Sequence, residues 1–361
     1  LYEGNGTAIG SGGKTISSFS FLPDLVWIKN RDQNDDHYIF DSVRGVTKDI
    51  HSNTLTIEGT DTESLTSFTS TGFVVGSNAE INASSEDHVA WCWKANGAST
   101  TTISAGGDYD LTSYHTTNTT AGFSIVKTTL TSSSGYSAVG HGLGVAPAFI
   151  IGFNYNPNSI NHSVYHHTLG ATGVLRLDTT AAKVTSQSNG SYGGSYAGDG
   201  GATPATPTST LFNIGNAAWA NSGPDNMIFY CWAEIEGFSK FGSYIGNNSA
   251  DGPFIYTGFR PAFLLIKKSS ATGSWYMWDS TRMTYNPAGG ADGSGNAFPL
   301  TPNGYTHETD VGSGGIIDFC ATGFKIRSTW GDLNGSGVTV VYMAWAESPS
   351  GGSGVAQARA R

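Results

Sequence analysis

A proline followed by an unbroken apolar run occurs three times in this chain. The runs are Pro23-Asp24-Leu25-Val26-Trp27-Ile28-Lys29, Pro147-Ala148-Phe149-Ile150-Ile151-Gly152-Phe153 and Pro261-Ala262-Phe263-Leu264-Leu265-Ile266-Lys267-Lys268. A half-exposed strand alternates apolar and polar residues, so an unbroken run describes a strand covered on both faces. Proline suits the start of such a strand, where its missing N–H breaks no ladder bond. Three returns predict three copies of one domain.

Other landmarks return around each run in the same order. The segment Tyr38–Arg44 reappears as Trp275–Arg282, with Asp41 and Arg44 in register with Asp279 and Arg282; the second copy has Ser163–His166 there. Gly72–Gly76 is matched by Leu211–Gly215 and by Gly323–Ile326. Each copy closes on an apolar strand, Val89–Ala95, Met227–Glu234 and Val341–Glu347, which places Trp93, Trp232 and Trp345 at equivalent core positions. Aromatics on both faces of these closing strands predict that they are central too. The second and third copies open with Gly122-Phe123-Ser124 and Gly237-Phe238-Ser239, and Tyr244–Asn247 repeats Tyr2–Asn5. The first copy therefore begins partway through the module. We expect it to lack its first strand or to borrow a replacement, leaving fewer sheet strands than the third copy has.

The divisions that follow are 1–97 for the first copy, 98–121 for a Gly/Ser/Thr linker, 122–236 for the second, 237–347 for the third and 348–361 for a polar tail. A low-complexity insertion at 187–210 falls inside the second copy. Ser and Thr make up roughly a quarter of the chain, Gly contributes 49 residues and 12% are aromatic. Turn formers, β-branched residues and aromatics together imply an all-β fold of short strands. The architecture expected is three tandem antiparallel β-sandwiches, jelly-roll-like, with a single turn of helix allowed at 179–188.

Charge narrows the partners. Only 13% of the 361 residues are charged, with a net charge of −10, against a usual charged share of about 25%. Basic residues cluster nowhere before the last few positions, and binding a phosphate backbone needs several cations on one face, so nucleic acid is not an expected partner. No apolar segment approaches the roughly 20 residues that span a bilayer, and no membrane partner is expected. Of the three cysteines, Cys92 and Cys231 sit inside apolar strands and no CxxC pair exists, which argues against zinc and redox chemistry. No cofactor is implied.

Catalytic constellations are poorly supported. Glu234 and Glu236 would lie roughly 7 Å apart on one strand face, a spacing near that of retaining glycosidases, but a solvated strand end explains them better. His162 and His166 would stand about 13 Å apart on a strand, too far to share an ion. Asp35-Asp36 and Asp108/Asp110 lack the ligand count of a calcium site. The Asp41/Arg44 and Asp279/Arg282 pairs read as turns in which the carboxylate accepts backbone N–H bonds and the arginine folds back to it. Exposed aromatics in polar loops remain candidates for stacking on sugar faces, namely Tyr192, Tyr196, Trp219, Trp275 and Trp330.

Several strings resemble a repeat module in tail-fibre and other structural proteins of tailed bacteriophages, many of them aquatic. They are residues 23–31, Phe40–Gly45, Val89–Ala95, Gly122–Val126, His141–Pro147, Gly237–Asn247 and Tyr256–Ala262. The resemblance implies a virion component, exposed on the particle, that works by assembly and by presenting surface, without catalysis. It implies contacts with other virion proteins and with further copies of itself, as a homo-oligomer and by resemblance a trimer. Host surface glycans are the expected outside partner. The end Gln357–Arg361 is similar to that family's short Ala-Arg tail, from which we expect the C-terminus to be present and residues to precede Leu1. The alternatives are a polysaccharide-degrading virion enzyme and a non-viral cell-surface adhesin.

Overall fold

The computed structural model describes residues 1–95, 101–104, 110–130, 136–156, 160–185, 206–215, 225–283 and 297–346. In the first copy the strands are β1 (Tyr2–Glu3), β2 (Lys14–Ile16), β3 (Leu25–Asn30), β4 (Tyr38–Asp41), β5 (Lys48–His51), β6 (Gly59–Thr60), β7 (Leu65–Thr69), β8 (Gly72–Val75) and β9 (Asp87–Trp93). They form one sheet of order β1-β9-β3-β4-β5-β6 and a second of order β2-β8-β7.

The second copy supplies β10 (Thr101–Ser104), β11 (Asp110–Asn118), β12 (Phe123–Leu130), β13 (Tyr136–Gly140), β14 (Phe149–Asn156), β15 (Ser163–His166), β16 (Gly173–Arg176), β17 (Val184–Thr185), β18 (Leu211–Gly215) and β19 (Asp225–Trp232). They join in one path, β17-β16-β15-β14-β19-β12-β11-β13-β18, with β10 on β11. Phe212 and Ile214 of β18 pack with Ile150 of β14 and Phe229 of β19 in one core.

The third copy contains β20 (Ser239–Ile245), β21 (Phe254–Tyr256), β22 (Phe263–Lys268), β23 (Trp275–Asp279), β24 (Ile317–Cys320), β25 (Gly323–Ile326) and β26 (Thr339–Trp345). Its sheets run β20-β26-β22-β23 and β21-β25-β24. The protein is thus all-β, a set of three sandwiches, and the three apolar runs are β3, β14 and β22. Each run is paired on both sides, with the closing strand β9, β19 or β26 as one neighbour.

The three sandwiches, consecutive in sequence, are packed around a common core. Val26 and Ile28 of β3 face the local core of the first copy, whereas Leu25 and Trp27 enter a core shared by all three copies. The same division holds in β22, with Leu264 and Ile266 facing inward locally and Phe263 and Leu265 facing the shared core. This double burial is the physical reason why the runs do not alternate. At the centre Trp93, Trp232 and Trp345 form a triangle of edge-to-face contacts. All three centroid distances are 5.8 Å, and the interplanar angles are 69–71°. An approximate threefold axis runs through this triangle.

The landmark Tyr-x-Gly-Asn is explained by two four-residue helices, α1 (Ala79–Asn82) and α2 (Gly331–Asn334). Asn334 is fully buried; its Oδ1 accepts the Asn247 N–H at 2.8 Å, while its Nδ2 donates to Asn247 Oδ1, the Ser249 carbonyl and the Ser328 carbonyl. Asn82 does the same for Asn5 and for the Gly76 carbonyl. The Tyr244 and Tyr2 hydroxyls donate to the Leu333 and Ile81 carbonyls. Glycine precedes each asparagine because a Cβ on Gly246 would stand 2.2 Å from the Gly335 carbonyl oxygen.

Four expectations need correction. Residues 98–121 are not merely a linker, since β10 and β11 join the second copy's sheet and β11 pairs with β12. The described part of 179–188 carries the short strand β17 and no helix; helical turns lie elsewhere, the α-helical ones being α1 and α2 among the described residues. Gly-Phe-Ser does not land in one register. The Ala233 N–H donates to the Gly122 carbonyl, but its counterpart Ala346 donates to Phe238, one residue further along the motif. Finally, among the described residues the first copy has more strands than the third, six and three against four and three. Within this sequence β1 pairs with β9 at Tyr2–His88 and Glu3–Asp87, the register in which β20 follows β26 from Ser239–Trp345 to Ile245–Thr339.

Candidate functional site

The charged groups that the sequence brings into register lie at the contacts between copies. Asp41 Oδ1 accepts the backbone N–H groups of Val43 and Arg44, and its other oxygen pairs with the Arg44 side chain. Arg44 also donates to the Ile39 carbonyl and reaches Glu58 at 3.3 Å, with Tyr155 of the second copy 6.0 Å from its guanidinium. Asp279 and Arg282 repeat the arrangement. Arg282 bonds the Met277 carbonyl and Glu308 at 2.9 Å, and its guanidinium lies 5.7 Å from the Trp91 ring of the first copy. Both arginine side chains are buried. Burial works against their charge, but the facing carboxylates outweigh it and hold both guanidinium groups above their ordinary pKa.

The second copy answers differently. His166 occupies the place of the two aspartates, opposite Phe149 as Asp41 is opposite Leu25. Its Nδ1 accepts from the Thr168 N–H and its Nε2 meets the Tyr342 carbonyl at 3.2 Å, so Nε2 carries the proton. Burial pushes the His166 pKa down to about 3, assisted by His167. The histidines that look metal-like in sequence point apart: His162 Nε2 bonds the Thr54 carbonyl of the first copy, and His167 Nε2 the Phe241 carbonyl of the third. Among the described residues no group of three or more His, Cys, Asp and Glu could hold a metal ion. Glu234 is engaged as well, accepting the Phe241 N–H at 2.9 Å and pairing with Lys240 at 2.8 Å.

The candidate sugar-stacking residues fare unequally. Tyr192, Tyr196 and Trp219 lie outside the described residues. Trp275 is a correction: it is fully buried, with its indole N–H donating to the Arg176 carbonyl of the second copy at 2.8 Å. No face of it is left for a ligand. Trp330 is half-buried and leans on Tyr276, with ring centroids 4.6 Å apart.

The structure exposes a different aromatic pair. Phe254 is 48% and Tyr256 68% exposed, with Ile255 buried between them on β21, an edge strand of the outer sheet. The two rings share one face, about 7 Å apart along the strand. Lys325 sits directly opposite Phe254 and pairs with Asp251 at 2.7 Å. The sequence carried no alternation here: Phe254-Ile255-Tyr256 is three apolar residues between the turns Gly252-Pro253 and Thr257-Gly258, and only their burial in the structure separates the two outward rings from Ile255.

A groove of about 480 Å³ opens beside β9, where the three copies meet at one end of the axis. Leu1, Phe19, Phe21, Trp91, Trp93, Phe238 and Phe263 are among the residues that line it. A second cleft of about 470 Å³ lies between Pro147 and Glu234. Its His167 and Glu234 hold the two backbone groups of Phe241.

One family model matches residues 1–349 and spans all three copies. The chain belongs to the DUF7483 family. That family is described as a domain of unknown function. No curated protein and no solved structure matches this DUF7483 chain.

Proposed function

We propose that this DUF7483 chain is a non-enzymatic structural and adhesive component of a bacteriophage particle, a tail fibre or similar appendage, that touches host surface glycans. The observation that carries the reading is how the described acids and bases are used. Asp41, Asp279, Glu234, His162, His166 and His167 each hold one copy against another or fix a strand end. What faces outward is a surface of low charge with the Phe254/Tyr256 pair on an edge strand. Adjacent aromatic rings on a rigid strand suit the apolar faces of sugars. The resemblance of residues 23–31 and 237–247 to phage structural modules supplies the context. The contacts with copies of itself that we propose come in addition to the threefold arrangement within one chain.

Gold-labelled antibody raised against the chain tests the assignment on purified particles. Label on an appendage, together with host polysaccharide of unchanged length after incubation, is the expected result. Unlabelled particles would refute the virion role. Glycan shortening that disappears in Glu234→Gln would make the protein a polysaccharide-degrading enzyme instead.

A further inference from the structure

The outer sheet of the third copy carries residues on its solvent face that the other two copies lack. Ile255, Phe324 and Phe319 fill the local core, so their neighbours along β21, β25 and β24 point the other way. One row across that face reads Phe254, Lys325 and Asp318, and the next reads Tyr256, Gly323 and Cys320. In the first copy the equivalent of the first row is Thr15, Val74 and Ser67. In the second copy Ala138 faces Asn213. Neutral positions have become an aromatic ring and two charges in one copy alone. The Phe254 ring leans over Gly323, its Cζ 3.1 Å from where a Cβ would stand. Lys325 pairs with Asp251 and Arg327 with Asp318, each at 2.7 Å, so these charges cancel in pairs. Arg260, in the loop that leaves β21, is exposed and has no hydrogen-bond or ion-pair partner among the described residues. Burial and Asp318 raise the pKa of the Cys320 thiol while Arg327, Arg260 and Lys325 work against them, which puts all three cations near that end of the sheet. The face therefore has one cation in excess, on a chain whose net charge is −10.

We propose that this face binds an acidic glycan, with sugar rings stacked on Phe254 and Tyr256 and the carboxylate of a uronic acid residue held by Arg260. The inference rests on the reading that this aromatic pair touches glycans, and it adds which class of glycan they are. The exposed rings supply apolar contact to the faces of the sugars. A guanidinium fork matches a planar carboxylate through two parallel N–H bonds, which a lysine at the same place would not offer. A single uncompensated cation suits a single carboxylate, whereas a phosphate-rich polymer would call for several. Lys325 and Arg327 stay with their own carboxylates and leave Arg260 as the group that selects for charge.

The test is titration of the intact chain with oligosaccharides of galacturonate, glucuronate and mannuronate, and with the same oligosaccharides after reduction of their carboxyl groups. At least one acidic form should bind about tenfold or more tighter than its reduced counterpart, the worth of one charge-assisted pair. Arg260→Gln should lower the affinity for that acidic form to the level of the reduced one, at an unchanged denaturant midpoint. Phe254→Ala combined with Tyr256→Ala should abolish binding of both forms. Equal affinity for acidic and reduced forms, or a gap that survives Arg260→Gln, would overturn the assignment and leave the glycan reading standing. A sulfated neutral glycan bound more tightly than every uronate would overturn it as well. If no oligosaccharide binds in either form, the inference falls together with the glycan reading beneath it.

Discussion

The Tyr230 hydroxyl donates a 2.8 Å hydrogen bond to Asp41 Oδ2, from the closing strand of the second copy to the aspartate of the first. One step around the axis, the Trp91 indole N–H donates to Asp279 Oδ2 at 3.2 Å, from the first copy to the third. The third step uses His166 of the second copy and the Tyr342 carbonyl of the third. Two junctions are therefore built on a buried aspartate–arginine pair capped by an aromatic donor, and one on a neutral histidine. The Asp/Arg register in the sequence is the trace of this arrangement.

The Tyr230 bond is open to a direct test. Burial and the nearby Asp41 keep the phenol protonated, so it remains a donor across the ordinary pH range. Tyr230→Phe keeps the ring in the core and removes only the bond to a charged acceptor. The expected loss is about 1.5–3 kcal/mol, read as a lower denaturant midpoint with an unchanged slope. An unchanged midpoint would mean that Asp41 is satisfied without the second copy.

Removing Arg282 should be costlier than removing Tyr230. Its loss leaves the buried Asp279 without its cation, while Glu308 keeps Arg31 at 2.7 Å, and breaking one side of a buried pair costs about 3–5 kcal/mol. Arg282→Ala should fall in that range, and Asp279→Asn combined with Arg282→Met should recover part of it. A double-mutant cycle in urea measures the coupling. If the double variant is as unstable as the sum of the singles, the two side chains are not coupled.

The apolar runs were legible in sequence because burial on both faces removes the alternation of a half-exposed strand, and the leading prolines and β-rich composition favour strand over helix. The threefold packing was not, because Trp93, Trp232 and Trp345 read equally well as three separate cores. Local pattern reports that a face is covered and is silent on what covers it. Trp275 was misread for the same reason: it follows a Gly/Ser turn that looks exposed, yet Arg176 of another copy lies over it. Short elements escaped as well. The helices α1 and α2 are one turn each, too short for a periodicity, and they exist because Asn82 and Asn334 bond around them.

Acid should weaken the protein through its buried histidines. The His166 pKa lies near 3 and that of His141 near 4, both lowered by burial, against about 6.5 in an unfolded chain. Below about pH 6.5 the unfolded chain takes up protons that the folded one refuses, so stability complete above that pH declines as pH falls toward 4. Each such proton contributes about 1.4 kcal/mol per pH unit. The groups around His166 are His167, the Thr168 hydroxyl and the Tyr342 carbonyl, and none is a carboxylate that would keep it charged. His166→Gln preserves a donor toward Tyr342 and should flatten the slope between pH 6 and 4 by about one proton. Urea midpoints across that range provide the measurement, and a slope identical to that of the parent chain would exclude His166 as a source.

Recognition of glycans by β21 predicts a separation of stability from binding. Phe254→Ala and Tyr256→Ala remove rings that are 48% and 68% exposed, so each should change stability by less than about 0.5 kcal/mol. Binding of intact particles to host cells or of the chain to a host glycan array should drop severalfold in the double variant. Unchanged adhesion with unchanged stability would remove these two residues from the proposed surface.

Asn334 offers the sharpest test of the module itself. Its side chain accepts one backbone N–H and donates to two backbone carbonyls and to Asn247, all from a position with no solvent access. Asn334→Ala leaves several of these groups buried without a partner, at about 1–3 kcal/mol each, so a total loss of about 3 kcal/mol or more is expected. Asn334→Asp should not rescue it, because a carboxylate accepts the Asn247 N–H but faces the Ser249 and Ser328 carbonyls with no donor. Gly246→Ala should be damaging at the same place for a different reason, since its Cβ would meet the backbone of Gly335. The equivalent change Asn82→Ala acts on β1, which pairs with β9 at Tyr2 and Glu3. There the residues from Leu1 to Gly6 should come loose before the rest of the sheet does. Amide exchange separates the two outcomes: Asn82→Ala should speed exchange at Gly4 and Asn5 selectively, whereas Asn334→Ala should lower protection along the whole of β20 and β26.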